Sequence, residues 1–168
     1  NGGMESGAWQ VLAGGTNVAN YSTGQVPGEA ARSGRKYLAT NTSTAGGSVY
    51  QDIPMSPAVP STYCASAWVR TQYPATGARG NFVVWLMGGA YNDSGSVSFS
   101  GLGNGTNWRQ VTTCVQATTP HSAMRVQFYP DPGSPTLEID DVDVHASMVA
   151  NGGMESGAWQ VLAGGTNV

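Results

Sequence analysis

The sequence predicts an all-β fold, an antiparallel β-sandwich of the jelly-roll type with two sheets and about ten short strands. Apolar and polar residues alternate with a period of two through most of the chain, which is typical of strands that bury one face. Clusters rich in Gly and Pro separate these segments, and no long stretch has helical spacing. The expected strands are residues 8–13, 17–22, 35–41, 48–53, 62–71, 81–88, 96–100, 107–117, 123–129 and 136–145.

Composition narrows the class of protein. Charged residues make up 10% of the chain, against about 25% in an average soluble domain. The net charge is only −3, so the basic patch of a nucleic-acid-binding protein is not expected. No apolar run is long enough for a membrane helix. Low charge, many hydroxyl side chains and short apolar segments favour a secreted or cell-surface protein that neither binds nucleic acid nor inserts into a membrane.

The opening of the sequence occurs a second time at its end. Residues 1–18 and 151–168 are identical, with an offset of 150 residues. We interpret residues 1–150 as one complete β-sandwich repeat whose last six residues, 145–150, link it to the next, and residues 151–168 as the start of that next identical repeat. The alternative is a chain deliberately extended into a second unit; we favour the tandem array. Adjacent identical repeats, in this chain or in others, are then expected partners.

The two cysteines, Cys64 and Cys114, fit no zinc motif. Antiparallel pairing of strands 62–71 and 107–117, with the cysteines opposite each other, would bring their Cβ atoms about 4.5–5.5 Å apart, near the upper limit for a disulfide. The same register aligns three further pairs on one face: Ser66–Thr112, Trp68–Gln110 and Arg70–Trp108. A disulfide is therefore predicted, with two buried free thiols as the alternative.

Alternation divides four central strands, 62–71, 81–88, 107–117 and 123–129, into two faces. One face is small and apolar and is assigned to the core. The other carries Trp, Tyr, Arg and Gln and, in these strands, no Lys, Glu or Asp. The candidate ligand-binding residues on it are Trp68, Arg70, Trp85, Gln110, Arg125, Gln127 and Tyr129. Because protein–protein interfaces also enrich Trp, Tyr and Arg, packing against a neighbouring repeat is the alternative.

The two ends of the unit carry its most informative motifs. Residues 1–9 read NGGMESGAW, residues 33–38 read SGRKYL, and residues 137–142 read LEIDDV. This order resembles the carbohydrate-binding modules of families 4, 9, 16 and 22, which share a galactose-binding-like jelly roll. Their opening pattern is N-x-G-F-E-x-G, with Met4 here in place of Phe. The resemblance spans the whole 150-residue unit.

The resemblance implies a structural calcium that joins the first strand to the last. Glu5 would donate a carboxylate, as would Asp140 or Asp141, and Gly3 and the turn at residues 33–36, which includes Arg35, would supply backbone carbonyls. Such an oxygen set suits calcium; the alternative is a solvated strand end. The resemblance also implies a sugar site on the concave face of one sheet. Rings that stack on pyranoses and Arg and Gln side chains that bond hydroxyls, as on the candidate face, fit that description.

A catalytic site is not expected. His121 and His145 are the two histidines, and neither has a recognisable Ser or Asp partner in the sequence. A glycosidase needs two carboxylates across a cleft, whereas the acids here cluster at Glu5 and at residues 138–143. We therefore predict that the protein is not an enzyme.

Two functions of different class follow. The first is a non-catalytic extracellular repeat that resembles a carbohydrate-binding module and binds a polysaccharide or glycan on its aromatic and polar face, repeated for avidity or adhesion. The second is a structural repeat of a cell-surface fibre, stalk or sheath. It would assemble through the same face or by strand pairing between units, without sugar binding. An exposed Trp85 and Tyr129 would favour the first function, and a covered pair the second.

Overall fold

The computed structural model describes Met4, residues 9–55 and residues 61–147, which form ten strands. They are β1 (Gln10–Leu12), β2 (Thr16–Ser22), β3 (Lys36–Thr42), β4 (Ser48–Pro54), β5 (Thr62–Thr71), β6 (Gly80–Met87), β7 (Asp93–Phe99), β8 (Arg109–Gln116), β9 (Ala123–Pro130) and β10 (Leu137–Ser147). Each corresponds to a predicted strand, and β7 differs most because it begins at Asp93 rather than residue 96. Within this strand Gly95 pairs with Val84 of β6, and only Gly fits there because β8 passes close by: a Cβ would lie 2.0 Å from the Cys114 carbonyl oxygen.

The strands form two five-stranded sheets. The first sheet has the order β1-β4-β9-β6-β7, and the second sheet has the order β2-β3-β10-β5-β8. Every pairing between neighbouring strands is antiparallel. The predicted fold class, an all-β antiparallel sandwich of the jelly-roll type, is confirmed. The described part of the chain contains no helix that could cross a membrane.

The core lies between the sheets and receives alternate residues from the strands. Phe82 and Phe128 stack there with ring centroids 4.5 Å apart, and the Trp9 ring lies 5.8 Å from Phe128. Met4 is also buried, so the opening segment supplies side chains to the core. Its second copy, residues 151–168, lies outside the described residues, and the interpretation as a tandem array stays a prediction.

Cys64 and Cys114 form a disulfide with their Cα atoms 4.0 Å apart. β5 and β8 pair in the predicted register, with the two cysteines opposite each other and Trp68 opposite Gln110. The Arg70 guanidinium lies 4.1 Å from the centroid of the Trp108 ring, as the same register predicts. The disulfide and the register are therefore confirmed, and the alternative of two free thiols is wrong.

Candidate functional site

Four of the predicted ligand-binding residues lie on the outer face of the first sheet. β6 and β9 are neighbours there, and alternate residues of a strand point to opposite sides of its sheet. Val84 of β6 and Phe128 of β9 are buried in the core. The residues that alternate with them along each strand therefore face outward, as predicted. The four outward residues are Trp85, Arg125, Gln127 and Tyr129. Trp85 and Tyr129 are both partly exposed.

β4 extends this face with Tyr50 and Asp52. Directly opposed residues of antiparallel strands point to the same side, and the register aligns them in rows. The rows are Asp52–Arg125–Trp85, Tyr50–Gln127–Val83 and, towards the other end of β9, Tyr129–Asn81. We call the surface formed by Tyr50, Asp52, Trp85, Arg125, Gln127 and Tyr129 the platform.

The sequence-based prediction missed Tyr50 and Asp52, because the alternation argument covered four strands and β4 was not among them. The signal was present, since Tyr50 and Asp52 alternate with the apolar Val49 and Ile53. Asp52 lies directly opposite Arg125. The face therefore carries an acidic side chain from β4, although the four strands considered in the sequence contribute none.

Two contacts hold Arg125 on the platform. Its Nε donates to Asp52 Oδ1 at 2.7 Å and its Nη2 donates to Oδ2 at 2.9 Å, a two-point geometry that suits the planar guanidinium. The guanidinium carbon also lies 3.8 Å from the centroid of the Tyr50 ring. The hydrogen bond to Asp52 raises the pKa of Arg125. Asp52 thus compensates the charge of Arg125, and Arg125 covers part of Tyr50.

The middle of the platform is closely packed. Gln127 is only 1% exposed, and its Nε2 donates to Ser48 Oγ at 2.7 Å, so it supports the surface and offers a ligand no accessible area. Burial raises the pKa of the Tyr129 hydroxyl, while the neighbouring Trp85 indole and Arg125 lower it. Trp85, Arg125 and Tyr129 therefore interact on the same outer face, where they place two rings and a guanidinium.

The other three predicted contacts, Trp68, Arg70 and Gln110, lie on the opposite side of the molecule. Trp68 and Arg70 belong to β5 and Gln110 belongs to β8, and both strands are part of the second sheet. The prediction that all seven residues share one face is therefore wrong, because the outer faces of two stacked sheets point away from each other. The disulfide between β5 and β8 is on this side as well, so it does not narrow the platform.

Arg70 is buried in a group of charged and aromatic side chains. Its Nε donates to Glu138 Oε2 at 2.5 Å, and its Nη2 lies 3.9 Å from Glu29 Oε2. The guanidinium stacks on Trp108 and faces Tyr37 at 5.1 Å, and no part of Arg70 is exposed. We call these five residues the Arg70 cluster. Arg70 is therefore part of the structure and is not a ligand contact.

The Arg70 cluster holds two carboxylates against one guanidinium. Burial and the hydrogen bond to Glu29 together raise the pKa of Glu138 to about 8, and Arg70 opposes the shift. Tyr37 donates its hydroxyl to Glu29 Oε2 at 3.1 Å, and the pKa of Tyr37 is raised because it is buried beside both carboxylates. Burial in the cluster therefore favours the protonated form of Glu138.

Trp68 is covered by a cation. The guanidinium carbon of Arg32 lies 3.9 Å from the Trp68 ring centroid, and Arg32 also pairs with Asp141 at 2.5 Å. The segment between β2 and β3, which carries Glu29 and Arg32, thus folds over the outer face of the second sheet. Gln110 stays exposed, but the rings beside it are occupied.

The carboxylates of Asp140 and Asp141 meet the turn at Arg32 and Ser33, close to where the calcium prediction placed them. Asp140 Oδ2 accepts from the Arg32 backbone N–H at 2.8 Å and Oδ1 accepts from that of Asp141 at 2.8 Å. Asp141 accepts from the Ser33 hydroxyl at 2.5 Å and from Arg32. These donors are N–H, O–H and guanidinium groups, and they join the bulge of β10 to the turn before β3.

The other predicted calcium ligands are Gly3, Glu5 and Arg35. Gly3 and Glu5 lie outside the described residues, and Arg35 belongs to the turn before β3. Within the described ranges, no group of three or more His, Cys, Asp or Glu side chains could hold a metal ion. The calcium site stays a prediction.

Both histidines have an acidic partner that the sequence did not reveal. His121 Nε2 lies 2.8 Å from Asp93 Oδ2, and His145 Nδ1 lies 3.2 Å from Asp143 Oδ2. Asp93 also accepts hydrogen bonds from the backbone N–H and the hydroxyl of Thr118. The hydrogen bonds from Thr118 and His121 lower the pKa of Asp93. The expectation that neither histidine has an Asp partner is wrong. The Asp93–His121 pair ties the start of β7 to the loop before β9.

The sequence matches no protein-family model and no curated protein. Solved structures resemble the fold: the xylan-binding CBM22-1 domain of Paenibacillus barcinonensis Xyn10C has a TM-score of 0.63 at 15% identity, covering 86% of this chain and 91% of that one. The C-terminal family 22 carbohydrate-binding module of Clostridium thermocellum Xyn10B gives 0.58 at 17% identity, covering 87% and 91%. TmCBM61, solved with β-1,4-galactotriose, gives 0.53 at 11% identity, covering 83% and 88%.

These similarities extend over most of each chain, and all of them are at low sequence identity. Such a likeness establishes architecture and leaves the activity to be argued from side chains. The chain has the β-sandwich fold of these carbohydrate-binding modules.

Proposed function

We propose that the chain is a non-catalytic carbohydrate-binding module that binds a polysaccharide or glycan on the platform. The observation that carries this proposal is the pair of partly exposed rings, Trp85 and Tyr129, on the outer face of the first sheet, beside the Arg125 guanidinium that Asp52 holds in place. Rings of this kind stack on the apolar faces of pyranoses, and the adjacent Arg125 and Tyr129 groups can bond hydroxyls. A few polar groups among apolar surface are typical of small-molecule sites.

The similar structures support a polysaccharide as the partner. One of them is described as xylan-binding and another was solved with β-1,4-galactotriose. The platform residues differ in kind from the buried Arg70 and the covered Trp68 on the other sheet. Sugar binding is therefore proposed for the first sheet alone.

A secreted or cell-surface setting is part of this proposal. The disulfide between Cys64 and Cys114 is of a kind that persists in oxidising compartments and is rare in the cytosol. The disulfide supports this setting.

Retention on insoluble polysaccharides tests the proposal. A panel of plant and microbial polysaccharides is incubated with wild type, Trp85→Ala, Tyr129→Ala and the control Tyr73→Ala. Tyr73 is exposed, and its backbone N–H bonds to Glu29 on the side of the second sheet. Each platform variant should weaken binding about thirtyfold, since a central aromatic anchor contributes about 2 kcal/mol or more. Equal retention of all four proteins would refute the proposal.

The identity between residues 1–18 and 151–168 favours a second candidate, a structural repeat of a fibre, stalk or sheath. In that case, the platform would be an interface between units and would bind no sugar. Light scattering during size-exclusion chromatography discriminates the two. A self-associating wild type whose association is lost in Trp85→Ala supports assembly, and a monomer that binds polysaccharide supports the module.

A further inference from the structure

The platform carries one cation and one anion. Among the described outward residues of β4, β6, β7 and β9, the charged side chains are Asp52 and Arg125. The others are aromatic, apolar, hydroxyl or amide side chains. Because Asp52 and Arg125 are directly opposed and hydrogen-bonded at two points, the net charge of this surface is zero.

Arg125 alone would favour acidic sugars. A guanidinium pairs with a carboxylate through two parallel hydrogen bonds, which is why Arg so often recognises carboxylate ligands. The exposed fraction of the Arg125 side chain is 20% and that of Asp52 is 38%, so a glycan lying on Trp85 would come close to both. Asp52 already accepts hydrogen bonds from Nε and Nη2 of Arg125. A uronic acid carboxylate at the same position would be repelled by the Asp52 carboxylate.

We propose that Asp52 determines which charge class of glycan the platform accepts. By occupying the guanidinium of Arg125 and cancelling its charge, it makes the platform select uncharged sugar chains and reject chains that carry carboxylates. This inference rests on the proposed function, because it concerns the same surface. It adds a specificity residue on β4 that does not itself stack on sugar.

Tyr50 gives Arg125 a second contact on the platform, besides its hydrogen bonds to Asp52. The Arg125 guanidinium lies 3.8 Å from the Tyr50 ring centroid, and this contact involves no atom of Asp52. Replacing Asp52 by Asn should leave the guanidinium in place over the ring, with its charge no longer cancelled and with one of its two hydrogen bonds to Asp52 lost, because the amide NH2 cannot accept a hydrogen bond. A carboxylate on a bound sugar would then pair with this uncompensated guanidinium.

The experiment compares Asp52→Asn with wild type on matched polysaccharides. Polygalacturonic acid, alginate and glucuronoxylan are each used as prepared and after chemical reduction of their carboxyl groups, so that each pair shares a backbone and differs in charge. The control variant is Asp143→Asn, which changes the net charge equally. Asp143 is exposed, lies on β10 of the second sheet and contacts His145.

Wild type should bind at least one reduced polymer and bind its acidic form about fivefold more weakly or worse, the effect of one exposed ion pair. Asp52→Asn should gain about fivefold for the acidic form, and the gain should fade as salt is added. Asp143→Asn should show no gain, and Arg125→Gln added to Asp52→Asn should abolish it.

Equal binding of acidic and reduced polymers by wild type, or an unchanged preference in Asp52→Asn, would overturn this inference while leaving Trp85-dependent binding intact. Failure of wild type to retain any neutral or reduced polymer, with no effect of Trp85→Ala, would instead overturn the proposed function. The two failures are therefore distinguishable. A gain in Asp143→Asn equal to that of Asp52→Asn would also overturn the inference, because the effect would then come from net charge.

Discussion

Arg70 and Glu138 form an ion pair where neither side chain reaches solvent, with Nε of Arg70 2.5 Å from Oε2 of Glu138. They are directly opposed on β5 and β10 of the second sheet. Glu29, from the segment before β3, provides a second carboxylate 3.9 Å from Nη2 of Arg70. A surface loop is thus fixed to the sheet by buried charges.

Replacing Arg70 by Met should destabilise the fold severely. The substitution leaves two buried carboxyl groups without their cation, and breaking a buried pair in this way costs about 3–5 kcal/mol. Urea unfolding followed by fluorescence measures the effect. Arg79→Met is the matched control, since Arg79 pairs with Asp131 at the surface, where a pair contributes about 0–1 kcal/mol. Similar losses in the two variants would contradict the role given to the cluster.

The Arg70 cluster should also make stability depend on pH. Burial raises the pKa of Glu138 from 4.5 to about 8, so between these values the folded chain keeps a proton that the unfolded chain has lost. This contribution to stability is fully present below pH 4.5 and is lost as the pH rises to about 8. The melting temperature of wild type should fall across that interval. Glu138→Gln, which mimics the protonated acid, should fall less, and parallel curves would contradict the assignment.

Removal of the disulfide should lower stability without changing the fold. The bridge closes a loop of 50 residues, which the chain-entropy relation values at about 4 kcal/mol. The double variant Cys64→Ala with Cys114→Ala keeps the β5–β8 pairing, so its circular dichroism should match wild type while its unfolding midpoint in urea falls. Dithiothreitol should lower the midpoint of wild type and leave that of the variant unchanged. A variant as stable as the oxidised wild type would contradict this.

The two copies of the opening sequence allow the same substitution in two places. Trp9 packs on Phe128 in the described core, so Trp9→Ala should cost on the order of 2 kcal/mol, less than a fully buried Trp. Trp159→Ala alters the identical residue of the second copy and should leave the main unfolding transition unchanged. Calorimetry of both variants checks this, and equal destabilisation would show that the second copy shares the same core.

Much of the fold could be predicted because the relevant signals are local. Alternation places Val84 inside and Trp85 outside whatever lies around them, and Gly and Pro mark the turns. The pairing of β5 with β8 followed from one long-range observation, the two cysteines. β7 began earlier than expected, because Gly95 resembles a turn residue unless the close approach of β8 is known.

The candidate site was less predictable, since alternation separates inside from outside but not one outer face from the other. Trp68 and Trp85 have equivalent patterns around them, yet they lie on different sheets. What covers Trp68 is Arg32, from a segment whose sequence has no periodic pattern to reveal its path. Ion pairs such as Glu29–Arg70 join residues distant in sequence, and nothing in the local pattern indicates them.

The placement of the platform on one sheet has a consequence for valency. Because the proposed binding residues all lie on the outer face of the first sheet, a single unit offers its partner one surface, so it should adsorb to a polymer strand without cross-linking two strands. Bridging would need at least two linked units with their open sides turned to different strands. Gel formation or clumping of a soluble polysaccharide should therefore report the number of units in a chain.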